Sequence, residues 1–91
     1  MSSAGPVAVL VRNKRGLHAR ASARFVTCAV GFDAQVSVAK DGASVAGTSI
    51  MGLMMLAAAP GDTIEISAEG AQAAEAVGAL VALVEAKFGE D

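Results

Sequence analysis

The sequence has no tryptophan, no tyrosine, one cysteine, one histidine and two prolines, and no acidic residue precedes Asp33. A single cysteine, Cys28, excludes an intramolecular disulfide and a cysteine-based zinc site, and one histidine leaves few other ligands for a transition metal. With three phenylalanines as its only aromatics, the core has to be thin and built from Val, Ile, Leu, Met and Phe, which suits one sheet carrying one layer of helices. No run of 18 or more apolar residues is present to cross a membrane, and the opening Met-Ser-Ser-Ala-Gly-Pro carries no basic segment leading into an apolar one. Together these gaps predict a soluble, cytoplasmic chain with no resident metal or cofactor and no membrane contact.

What is present suits one domain. Ninety-one residues bury roughly 60 to 70% of the unfolded chain's surface, enough for a single core. The formal charge of −2 is unevenly spread, because Arg12, Lys14, Arg15, Arg20 and Arg24 crowd one segment. A basic patch on a mildly acidic chain points to a specific anion or an acidic protein face; a nucleic-acid partner would call for a basic total.

The pattern along the chain sets the element order. Residues 1–6 are small and read as a flexible tail, residues 7–88 as the domain, and residues 89–91 as a C-terminal tail. Val7 to Val11 is a β-branched run and a strand. From Ala19 to Val30 the period becomes helical, with Ala21, Phe25, Cys28 and Ala29 on one face and Arg20 and Arg24 on another. Ala34 to Lys40 and Ala43 to Ala46 flank Asp41-Gly42, the dipeptide of a two-residue type I′ hairpin turn. Ile50 to Leu56 reads as a two-turn helix capped by Thr48 or Ser49, Thr63 to Ser67 as the last strand, and Gly70 as the opening of a final helix reaching Phe88. The order is β-α-β-β-α-β-α, an α+β chain with a four-stranded, mainly antiparallel sheet and three helices on one face.

Chemistry concentrates at Asn13-Lys14-Arg15-Gly16-Leu17-His18-Ala19-Arg20. A neutral imidazole is a nucleophile, and at a helix start the unpaired amides and a partial positive charge, worth roughly 0.3 to 2 kcal/mol toward an anion, stabilise a phosphoryl group. That positive end, with Arg20 beside it, also disfavours imidazolium. Lys14 and Arg15 read as solvated turn cations, and Asn13 as a turn asparagine that can brace the loop.

Gly16-Leu17-His18-Ala19-Arg20, then Thr48-Ser49-Ile50-Met51-Gly52-Leu53-Met54, then Pro60-Gly61-Asp62-Thr63-Ile64 resemble, in order and spacing, the HPr family, the histidine-containing phosphocarriers of the bacterial phosphoenolpyruvate phosphotransferase system. The resemblance covers about residues 7 to 88, and the second motif is similar to that of the nitrogen-related NPr branch. It implies an open-faced β-sandwich and a carrier, not an enzyme. His18 would receive a phosphoryl group on Nδ1 from enzyme I and pass it to a IIA-type protein, with Arg20 stabilising the phosphate. Ser49 would match the family's regulatory serine, the target of HPr kinase/phosphorylase. Ala21 stands where the family carries proline, implying a looser helix start, and Thr48 where a lysine often precedes the serine.

Ile50, Met51, Leu53, Met54, Met55 and Leu56 are too many large apolar residues for one buried face of a short helix. Some therefore reach the surface, where Thr48, Ile50, Met51, Leu53 and Met54, with Arg24, are expected to contact partners. Two other readings compete: a regulatory binding module whose basic and methionine-rich faces act independently of His18, and an enzyme with a histidine base. The last lacks a second histidine, a Gly-rich nucleotide loop and any acidic residue near His18 in sequence. A carrier shared among larger partners is expected to be a monomer.

Overall fold

The segment with the strictest apolar alternation lies at the centre of the sheet. Thr63–Glu69, β4, turns Ile64, Ile66 and Ala68 inward and leaves Glu65 exposed on the other face. It pairs antiparallel with β1 (Ser3–Leu10) on one side and β2 (Gln35–Lys40) on the other, and β3 (Ala43–Ala46) completes the order β1-β4-β2-β3. Every pairing is antiparallel. The structure is a computed structural model that describes residues 2–90, so expectations for Met1 and Asp91 lie outside the described residues.

Helices α1 (Ala19–Ala29) and α2 (Ile50–Leu56) connect strands, α3 (Ala73–Glu85) follows β4, and a 3-10 turn comes after it at Lys87–Gly89. The order is the β-α-β-β-α-β-α expected from the pattern. Helix α3 packs across β1, β4 and β2 through Ala73, Ala76, Val77, Leu80 and Val84, and α1 packs against α2 and α3. Phe25 from α1, Leu53 from α2 and Phe88 from the terminal turn fill the core, as a chain poor in aromatics requires. The hairpin turn has the geometry its residues demand, with Asp41 at φ 52° and Gly42 at φ 83°.

Several boundaries differ from the sequence reading. Residues 3–6 are not a tail: Ser3 pairs with Glu69 and Ala4 with Ala68, and a register shift between Ala4 and Val7 takes up the kink at Gly5, φ 81°. Small residues carry no hydrophobic alternation, but ladder hydrogen bonds need only backbone. Gly70, at φ 135°, closes the turn after β4 and does not open the helix, which starts at Ala73 behind the cap position Gln72.

Phe88 likewise leaves the helical stripe. The chain turns left-handed at Lys87 and Phe88, φ 58° and 56°, and still buries the Phe88 ring. Gly89 and Glu90, expected in a C-terminal tail, are tied back by Gly89 N–H to Ala86 C=O at 3.0 Å and Glu90 N–H to Lys87 C=O at 2.8 Å.

The ring of Phe25 is fully buried, and a Cβ placed on Gly47 would sit 3.3 Å from its Cε1, so no slack surrounds it. Phe25→Ala is expected to lower the unfolding free energy by about 3 to 5 kcal/mol in urea denaturation, the usual cost of an aromatic-sized cavity; a loss under about 1 kcal/mol contradicts this packing.

Candidate functional site

The site begins where β1 ends. Val11 is fully buried and clamped to the loop before β4, donating to Asp62 C=O at 2.8 Å while its own carbonyl accepts from Gly61 N–H at 2.9 Å. Past this clamp the chain folds onto the end of α2. Leu17 N–H donates to Ala58 C=O at 2.9 Å, and Gly16, at φ 61°, comes so close that a Cβ there would lie 2.1 Å from the same carbonyl oxygen. Only glycine meets both conditions.

Asn13 locks this loop from inside. It is completely buried, and its Nδ2 donates to Gly16 C=O at 2.8 Å and to Glu90 Oε1 at 3.1 Å. Both neighbours are pure acceptors, so the amide nitrogen must face them. Its Oδ1 has no hydrogen-bond partner. The brace that the sequence left secondary to an ordinary turn asparagine is therefore what the structure has.

His18 is the N-cap of α1, with extended backbone at φ −73° and ψ 179°. Its Nδ1 accepts from Arg20 N–H at 3.3 Å, doing with an imidazole what Ser or Asp usually does at this position. Its Nε2 lies 2.8 Å from Glu90 Oε2, and both side chains keep about a fifth of their surface in solvent, 22% and 19%. The imidazole thus bridges the start of α1 and the terminal turn. Around it a shallow cleft of about 280 Å³ is lined by Lys14, Arg15, Arg20 and Glu90. Lys14 and Arg15, expected as merely solvated cations, join Arg20 in ringing the histidine, and three cations with an open helix start suit an anion.

The helix start is not loose despite Ala21. Ser22 N–H reaches His18 C=O at 2.9 Å, Ser22 Oγ donates to Leu17 C=O at 3.1 Å, and both Ala21 and Ser22 are fully buried. Packing of the first turn closes it without proline. Arg24 turns toward the C terminus, where its Nη1 donates to the Phe88 carbonyl. Partial burial alone would raise the Glu90 carboxyl, but hydrogen bonds from Asn13 and His18 and the positive charge of Arg24 outweigh it, leaving Glu90 below the usual glutamate range.

The second expected surface is α2. Ser49 caps it, its Oγ accepting from Gly52 N–H at 2.9 Å. Ile50, Met51, Met54 and Met55 are exposed, Met51 and Met55 to 70% and 78%, and Thr48 is exposed beside them. Leu53 corrects the expectation: it is fully buried in the core and unavailable to a partner. On a helix this short, the two leucines face inward and the methionines outward. Cys28 is half-buried, and burial pushes its thiol up, so it stays a neutral thiol. Among the described residues no group of three or more His, Cys, Asp or Glu side chains is placed to hold a metal ion, and no helix is long and apolar enough to cross a membrane.

Glu90 is the site residue that sequence reasoning missed. It stands 72 positions from His18, and its only local signal is an acidic residue just after Phe88 and Gly89.

Residues 7–86 match the family described as PTS HPr component phosphorylation site. The chain is 54% identical over 78 residues to the phosphocarrier protein HPr of Neisseria meningitidis serogroup A, covering 86% of this chain and 88% of the relative. It is 39% identical over 84 residues to the phosphocarrier protein NPr of Escherichia coli K12, covering 91% and 93%. Among solved structures, that of HPr from Thermoanaerobacter tengcongensis superposes with a TM-score of 0.90 at 45% identity, covering 100% of this chain and 99% of the other.

Two outcomes follow from this geometry. Gly16→Ala should destabilise the domain by more than about 1 kcal/mol, since the new methyl meets backbone in a left-handed conformation; an unchanged urea midpoint contradicts the Gly16–Ala58 contact. Because the folded Glu90 carboxyl titrates below its unfolded value, its contribution to stability is present above about pH 4.3 and is lost as pH falls through the lower folded value. A carboxyl-detected NMR titration should find the Glu90 midpoint below the ordinary glutamate value and Asn13→Ala should raise it; a midpoint at or above the ordinary value refutes the bridge.

Proposed function

Since the chain belongs to the HPr family, the phosphocarriers of the phosphotransferase system, we propose that His18 accepts a phosphoryl group on Nδ1 from phospho-enzyme I and delivers it to IIA-type proteins in the cytoplasm. The observation that carries this reading is the placement of Nδ1 against the Arg20 amide, inside the cleft bearing Lys14, Arg15 and Arg20. The Nδ1 lone pair attacks phosphorus in line with the departing group of the donor, whose bond to phosphorus breaks with its electron pair. As Nδ1 gives up its lone pair, the Arg20 N–H loses its acceptor and is free to donate to a phosphoryl oxygen. That exchange keeps the first helical turn capped, and the Arg20 guanidinium screens the incoming charge.

The chain acts as a carrier that lacks a turnover reaction of its own, and a monomer leaves the cleft open to each partner in turn. Docking is assigned to the face that Ser49 begins: Thr48, Ile50, Met51 and Met54, joined by Met55, with Arg20 and Arg24 supplying charge toward acidic partners. Flexible, exposed methionines suit a surface that must fit more than one partner. Ser49 is read as the regulatory site, open to a kinase of the HPr kinase/phosphorylase type. A phosphate there adds roughly −1.5 to −2 charge beside Ile50 and Met51, weakening docking without unfolding a helix whose start tolerates anions.

Incubation with enzyme I, phosphoenolpyruvate and Mg²⁺ is expected to put an acid-labile phosphate on the parent and none on His18→Ala, and Arg20→Ala should slow labelling about 100-fold, the scale of losing one stabilising donor. Equal labelling of parent and His18→Ala refutes the assignment. Parallel transfer to a sugar-type and a nitrogen-type IIA protein identifies the branch served.

A further inference from the structure

The reactive imidazole has two nitrogens, and each contacts a group of fixed character. At Nδ1 the neighbour is a backbone N–H, that of Arg20 at 3.3 Å, which can only donate. At Nε2 the neighbour is a carboxylate oxygen, Glu90 Oε2 at 2.8 Å, which when ionised can only accept. A proton on Nδ1 would set two donors face to face at one end of the ring and two acceptors at the other. Both contacts therefore select the same neutral form, protonated on Nε2 with the lone pair on Nδ1.

Glu90 is also held in place by further contacts. Its second oxygen, Oε1, accepts from buried Asn13, which is itself fixed to Gly16 C=O, so the carboxylate is gripped on both sides. Its backbone leaves the turn in which Lys87 and Phe88 are left-handed, a conformation that non-glycine residues rarely adopt. The turn persists because the Phe88 ring is buried in the core and its carbonyl accepts from Arg24. The fold thus accepts local strain to present this carboxylate to His18.

We propose that Glu90 is a positioning residue for His18: it holds the neutral imidazole in the Nε2–H form and so directs the Nδ1 lone pair toward the incoming phosphorus. This role rests on the phosphocarrier reading and specifies how its site is prepared. When the Nδ1–P bond forms and the donor's bond to phosphorus breaks, no proton needs to move. The ring keeps its Nε2–H and becomes cationic, and Glu90 faces that charge. When the phosphoryl group leaves, the electron pair of the N–P bond returns to Nδ1 and the same tautomer is restored. Asn13 supports the carboxylate in turn, and its bond to Gly16 C=O ties that support to the loop carrying His18.

The test uses the full chain with ¹⁵N-labelled histidine. Two-bond ¹H–¹⁵N spectra of the unphosphorylated parent should show Nδ1 as the unprotonated nitrogen and Nε2 as the protonated one. Glu90→Gln, whose amide oxygen still accepts, should keep this tautomer, and Glu90→Ala should give a mixture of the two. Initial rates of labelling by phospho-enzyme I should fall roughly 10- to 100-fold in Glu90→Ala, mostly in kcat, the scale set by misplaced reacting groups. Glu90→Gln should lose less. A parent protonated on Nδ1, or a Glu90→Ala variant with parental tautomer and rate, overturns the role of Glu90 while leaving the carrier reading intact. A parent that takes no label overturns both.

Discussion

One close approach governs the geometry of the site: Gly16 laid against the carbonyl of Ala58. Without a Cβ, residue 16 lets the loop after β1 rest on the end of α2, and Leu17 N–H then uses the same carbonyl as its acceptor. The two surfaces singled out in the chain, the imidazole at the start of α1 and the methionine face of α2, are thereby fastened to each other as well as to the sheet. Ala57, left-handed at φ 55°, is what turns the chain out of α2 so that the next carbonyl points at the loop. The proposed docking face at Met51 and Met55 is consequently joined to His18 by a short connection through Ala58 and Leu17.

The electrostatics of the site are a balance between three cations around the cleft and one anion in contact with the ring. Lys14, Arg15 and Arg20 line the cleft, whereas Glu90 touches the imidazole on the side away from the helix amide. A carboxylate in a cleft proposed to receive phosphate looks counterproductive by charge alone. Its position resolves this, because it faces Nε2 and lies across the ring from the nitrogen where the phosphoryl group is proposed to sit.

Periodicity carried the fold a long way. The alternation of Ile64 and Ile66, the Asp41-Gly42 turn and the helical stripe through Val77, Leu80 and Val84 each express a single local rule, so element type and order were legible without coordinates. The failures share a cause as well. Ser3 and Ala4 pair by backbone, which leaves no trace in side-chain pattern, and Leu53 could not be told from its methionine neighbours because every position of that short helix is apolar. Lys14 and Arg15 were seen but not placed, since a loop has no period from which to read direction. Glu90 was invisible for a plainer reason: its contacts with Asn13 and His18 join opposite ends of the sequence, and no spacing rule spans that distance.

Both residues to which a phosphoryl group is assigned, His18 and Ser49, occupy the same structural position, the side-chain acceptor capping the first turn of a helix. Each offers an atom that a backbone amide already points toward, so a phosphate added there inherits a donor that is in place beforehand. Such a mark is written at the edge of a secondary-structure element and leaves the packing beneath it untouched. The protein's outline should then be nearly identical with zero, one or two marks. If both proposed marks are used, a partner that distinguishes the states would do so by sensing charge at a fixed point more than by a change of shape.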